Sequence, residues 1–124
     1  MSRTLKIGLV GAGMFGGDVH MRTFCQLERG GLLPWLGRLG LDNMARSLGD
    51  IDVQFVGLAT RTEQTGKAKL AEYSKLGMDF RTYHGDEPWN DILRDFPDLD
   101  VMAVATPDHL HTQPILAALA AGVH

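Results

Sequence analysis

The sequence predicts an α/β fold, a doubly wound parallel sheet, and three observations carry that expectation. Short apolar runs alternate with segments of helical spacing, which implies parallel strands joined by right-handed crossovers. The apolar runs lack clean polar alternation, as strands covered by helices on both faces do. A glycine cluster directly follows the first run and opens the first helical segment.

Taken in order, residues 5–10 form the first strand, ended by Gly11. Residues 14–29 carry Phe15, Val19, Met21, Phe24 and Leu27 at spacings that share one broad helical face. Gly30 and Gly31 stop this helix. The stretch 30–49, with Pro34, Trp35 and many leucines, reads as an insertion holding at most a short helix near 41–48. Residues 52–59 are the second strand. Thr62 is placed to cap a helix through Ala68, Ala71 and Leu76 that stops at Gly77. Residues 80–83 give a short third strand. Asp86, Glu87 and Pro88 open a helix through Trp89, Ile92 and Leu93, because proline fits a first turn. Residues 101–105 are the fourth strand, and 112–121 a last helix ended by Gly122, with Thr112 available as its cap. Val123 begins a fifth strand, which the sequence leaves incomplete.

Composition narrows the function classes. At 124 residues with 44% hydrophobic and 22% charged positions, the sequence is one globular domain, 1–124. A net charge of −3 without any basic stripe excludes a nucleic-acid partner. The single cysteine, Cys25, excludes an internal disulfide and a cysteine-cluster metal site, and reads as a small buried hydrophobe. No apolar stretch reaches the length of a membrane span. The first residues break into glycines before a leader's apolar segment can form, so a cytoplasmic protein is expected.

Gly11-Ala12-Gly13-Met14-Phe15-Gly16 matches G-x-G-x-x-G between a strand and a helix. Gly11 permits the tight turn, Gly13 leaves room for a pyrophosphate, and Gly16 lets helix and strand pack closely. The unpaired N–H groups of the helix start stabilise an anion without a lysine. The usual partner is an acidic residue at the end of the second strand, which grips the ribose hydroxyls. Here that strand ends in Ala59-Thr60-Arg61, with no carboxylate at its tip. A hydroxyl beside a guanidinium suits a 2′-phosphate and points to NADP. The alternative is NAD, with Arg61 an ordinary exposed side chain and Glu63 serving the ribose.

The fourth strand leads into Ala105-Thr106-Pro107-Asp108-His109-Leu110-His111, in the crevice where such sheets bind ligands. With the run DVMAVATPDHLHTQPILAALAAGVH (100–124), the glycine motif and Val19-His20, the sequence resembles the N-terminal domain of the glucose–fructose oxidoreductase / inositol dehydrogenase (Gfo/Idh/MocA) family. The resemblance runs from Lys6 to His124 apart from the insertion. It implies a Rossmann domain for hydride transfer with NAD or NADP on a sugar, cyclitol or related polyol. By position, Gly11, Gly13, Met14, Phe15 and Gly16 would bind pyrophosphate, and Thr60 with Arg61 the adenosine ribose. Thr106, Pro107 and His111 would border the ribose and nicotinamide. Asp108 stands where the family usually has Asn.

In that family a Glu-Lys-Pro lysine and a histidine in a second, sheet-rich domain serve the chemistry, and both would lie beyond His124. No catalytic residue is therefore expected here, and the chain is expected to bind cofactor without turnover. The small-molecule substrate would meet the longer protein. A non-catalytic NAD(P)-sensing module is the second reading. His109 and His111 would face opposite ways on an extended loop with no cysteine or glutamate beside them, so no metal site is expected. The 30–49 insertion reads as a covering flap or subunit contact rather than a ligand site. Strand four, offered without a full neighbour, predicts a chain that self-associates or is only marginally stable, and a homo-oligomer is expected.

Overall fold

The computed structural model describes residues 3–48 and 51–124, so the end of the insertion at Gly49 lies outside the described residues. The first apolar run is strand β1 (Arg3–Val10), and the second is β2 (Ile51–Thr60). β3 (Arg81–His84) and β4 (Val101–Val104) complete a parallel sheet in the order β3-β2-β1-β4. The chain thus starts in the middle and reverses direction of addition between β1 and β4, as the alternation predicted.

Helices cover both faces. On one, α1 (Met21–Gly30) and α4 (Glu63–Ser74) bury Met21, Cys25 and Tyr73 against Ile7, Leu9, Phe55 and Phe80. On the other, α5 (Trp89–Asp95) and α6 (Thr112–Ala120) bring Ile92 and Ala118 onto Val10, Val56, Ala59 and Met102. Phe55 is fully buried and meets Phe24 and Phe80 at ring separations of 5.7 and 5.0 Å. Burying a side chain of this size stabilises the fold by roughly 1.5–3 kcal/mol. Cys25 is buried, as its isolation in the sequence implied.

Several local expectations change. The first helical segment is not one α-helix: Met14–His20 forms a π-register turn that runs directly into α1. The wider turn shifts the buried face to Gly16, Gly17, Met21 and Cys25, and leaves Phe15 and Val19 exposed rather than sharing that face. The insertion holds two helices instead of one, α2 (Leu33–Arg38), with Pro34 in its first turn, and α3 (Asp42–Leu48). A bulge opposite Ile7 and Gly8 inserts Val56 between Phe55 and Gly57, so the strand's buried side chains swap faces midway. Thr62 caps α4 as expected, accepting from the Thr65 N–H. Thr112 does not cap α6. A 3-10 turn, Asp108–Leu110, precedes that helix and His111 occupies the cap position without a side-chain bond.

The last residues of the chain hydrogen-bond along β4. The Met102 N–H donates to the His124 carbonyl at 2.8 Å and the His124 N–H to the Asp100 carbonyl at 3.1 Å. Asp100 also accepts the Lys6 N–H on its carboxylate at 2.9 Å, which clamps β4 to β1 one residue before the ladder begins.

Candidate functional site

The loops that leave β1 and β4 lie side by side. Val10 and Ala105 join them, the Ala105 N–H donating to the Val10 carbonyl at 2.8 Å, while the Gly11 N–H donates to Ala59 of β2. Gly11 has φ +99°, a conformation that side-chain-bearing residues avoid, and a Cβ there would stand 2.7 Å from the Ala105 carbonyl oxygen. Gly16 approaches the strand end more closely still: its Cβ would lie 2.1 Å from the Gly11 carbonyl oxygen. Around Gly13, by contrast, a Cβ would meet nothing within 4 Å. The three glycines therefore divide the labour the sequence assigned them, two allowing close backbone approach and one leaving space.

Met14 and Phe15 flank that space with strongly exposed side chains, and the first N–H groups of the π turn have no helical acceptor ahead of them. The turn is tied down from outside the motif. The Tyr73 hydroxyl donates to the Gly17 carbonyl at 3.2 Å, and Lys69 reaches Asp18 at 3.5 Å. Burial pushes the Tyr73 phenol up from its ordinary pKa. Neither contact was legible in the sequence, because each joins α4 to the glycine motif across some fifty residues.

At the end of β2, Thr60 is buried and its hydroxyl donates to the Thr62 carbonyl at 2.8 Å. The Thr60 side chain is thereby turned inward, at the turn that presents Arg61. Arg61 is exposed, and among the described residues no carboxylate stands within ion-pair distance of its guanidinium. Glu63 pairs with Lys67 at 2.8 Å, and that hydrogen bond holds its carboxyl below the usual carboxylate range.

In the second loop, the Thr106 hydroxyl is buried without a hydrogen-bond partner among the described residues. His111 donates from Nε2 to the Thr106 carbonyl and so braces the loop. Pro107 is exposed and extended, with φ −54° and ψ 147°. His109 is exposed on the 3-10 turn, and no group of three metal-ligating side chains occurs among the described residues. No helix of the described residues is long and apolar enough to cross a membrane.

An orphaned hydroxyl in the loop after β4, and a glycine with open space at a helix start that favours anions, fit a dinucleotide phosphate and its neighbouring ribose. Fold and site together define a Rossmann-type dinucleotide-binding domain. The chain matches the description "Oxidoreductase family, NAD-binding Rossmann fold" over residues 5–124, and it belongs to that family, Gfo/Idh/MocA. It is similar to an NAD-binding oxidoreductase from Klebsiella pneumoniae, at 26% identity and a TM-score of 0.64. That match covers 98% of this chain and 26% of the other, so the chain spans about a quarter of that protein's length. No curated protein matches.

The residues present fit the cofactor in named roles. The backbone from Gly11 to Gly16 would cradle the pyrophosphate, and Thr106 would give its hydroxyl to the ribose or nicotinamide end. A bound nicotinamide would supply the hydride acceptor or donor. This chain's own groups would bind and orient it.

Proposed function

We propose that the chain is the cofactor domain of an NADP(H)-dependent oxidoreductase acting on a sugar, cyclitol or related polyol, with NAD as the weaker ligand. The observation that carries the cofactor choice is the exposed, unpaired Arg61 guanidinium at a strand end without a carboxylate. The substrate class rests on family membership. These residues bind and aim the dinucleotide, and substrate chemistry belongs to groups outside them, as the family resemblance implies. A cytoplasmic homo-oligomer is part of the same proposal.

Arg61→Ala tests it. A guanidinium hydrogen-bonded to a phosphate contributes roughly 1.5–3 kcal/mol, about 10- to 150-fold in affinity. Calorimetric titration should show NADP weakened by that factor and NAD almost unchanged, with the difference shrinking at high salt. A wild-type preference for NAD, or an equal loss for both, overturns the assignment.

A further inference from the structure

Away from the dinucleotide site, α1, α2 and α4 border an open groove of about 800 Å³. Its walls carry three arginines. Arg22 and Arg29 lie seven residues apart on α1, two turns or about 10 Å along one face. Arg38 comes from α2, with its guanidinium 4.9 Å from the centroid of the half-exposed Trp35 ring. The buried side chains of Cys25 and Tyr73 also line it.

The ordinary reading is a set of solvated surface charges, and the charge distribution argues against it. The chain is acidic overall, at −3. Arg3, Lys6, Lys67, Lys69, Arg81 and Arg94 each have a carboxylate partner. Among the described residues, Arg22, Arg29, Arg38, Arg46, Arg61 and Lys75 have none, and three of these, Arg22, Arg29 and Arg38, line one concavity. The one carboxylate on its wall, Glu72, is held by Lys69 at 3.2 Å. A cleft lined by one sign of charge focuses its potential and concentrates the opposite ion. Guanidinium forks match phosphate oxygens in pairs, which favours phosphate over a lone carboxylate. The volume is that of an ordinary small-ligand pocket.

We infer that this groove is a second anion site, distinct from the dinucleotide cradle, which takes a small ligand bearing a diphosphate. Two guanidiniums on one wall and a third opposite can hold two phosphate groups at once, with Trp35 offering a flat apolar edge to the rest of the ligand. The 30–49 insertion, read from sequence as a flap or subunit contact, then supplies one wall of a binding site.

The probe is inorganic pyrophosphate, titrated into the 124-residue chain already saturated with NADP⁺ to fill the glycine loop. Tryptophan emission and the phosphorus resonance of pyrophosphate are followed together. Both should change and saturate. Trp35→Phe should lose most of the emission change and keep the phosphorus response. Arg29→Gln and Arg38→Gln should each weaken binding about 10-fold or more, and Arg61→Ala should leave it unchanged. If a glutamine variant loses its folded circular dichroism, Arg29→Lys and Arg38→Lys replace it, with weakening again expected because the fork is gone. The proposal is overturned if neither signal saturates, if NADP⁺ abolishes the response, or if affinity survives both arginine substitutions. It is equally overturned if a polyglutamate peptide saturates the tryptophan signal and pyrophosphate does not displace it.

Discussion

The two loops that meet at Gly11 and Ala105 are built on opposite terms. The glycine loop is specified by backbone shape: Gly11 and Gly16 sit where any Cβ would strike a main-chain carbonyl oxygen. The second loop is specified by side chains, His111 bracing the Thr106 carbonyl while the Thr106 hydroxyl stays buried and unmatched. The first presents main-chain N–H groups at an open helix start. The second holds a buried hydroxyl without a partner among the described residues, so a cofactor would meet backbone on one side and a side-chain group on the other.

Glycine substitutions are the largest test of this difference. Gly16→Ala drives a methyl group into the Gly11 carbonyl oxygen, and such overpacking costs about 1–3 kcal/mol or more. Chemical denaturation should show that loss, together with failure to bind cofactor. Gly13→Ala, with nothing within 4 Å, should leave stability within about 0.5 kcal/mol and still weaken NADP. If the two variants are equally unstable, the division between packing and ligand space at these glycines is wrong.

Thr106→Val sharpens the contrast at intermediate size. Removing an unmatched buried hydroxyl should raise the stability of the unliganded chain by about 1 kcal/mol. The same change should lower cofactor affinity about 10-fold, the loss of one hydrogen bond of roughly 1.4 kcal/mol. Stability and affinity moving together, in either direction, would remove Thr106 from the cofactor's partners.

The smallest effect comes from a partly buried acceptor that does have its partner. Glu28 accepts the Phe55 N–H at 3.2 Å on a stretch of β2 that β3 does not reach. Burial raises its pKa from 4.5, the Phe55 bond pulls the other way, and Asp79 adds to the rise. The folded chain therefore keeps this proton to higher pH than the unfolded one, and stability falls as pH rises from about 4.5 through the folded value. Glu28→Gln keeps an acceptor without the charge. Its melting temperature relative to the parent should climb between pH 4 and pH 7, and a flat or falling difference would contradict the burial argument.

Much of the fold was legible because local signals agreed with global ones. Strand order followed from alternation, and Thr62, Gly77 and Gly122 mark ends that local chemistry decides, the two glycines at φ +87° and +73°. The π turn was not legible, since it depends on Gly16 reaching Gly11 rather than on apolar spacing, and Phe15 and Val19 were misplaced with it. The β2 bulge hid for a similar reason: apolar residues on both faces look the same before and after a change of side. At the site, residue types at the glycine motif and at Arg61 could be read directly. The inward turn of Thr60, the Tyr73 brace and the Asp100 clamp each depend on backbone groups that no side-chain pattern announces.

The order β3-β2-β1-β4 also has a consequence during protein synthesis. β1 becomes the centre of the sheet, but the clamp from Lys6 to Asp100 spans 94 positions. At about 5–20 residues per second, a ribosome needs roughly 5–20 s to make the strand that closes β1's second edge. Through that interval β1 keeps one edge open, and Val10, which packs with Met102 of β4 in the finished domain, waits for its neighbour on a nascent chain. That makes β1 the segment with most need of a chaperone's grip.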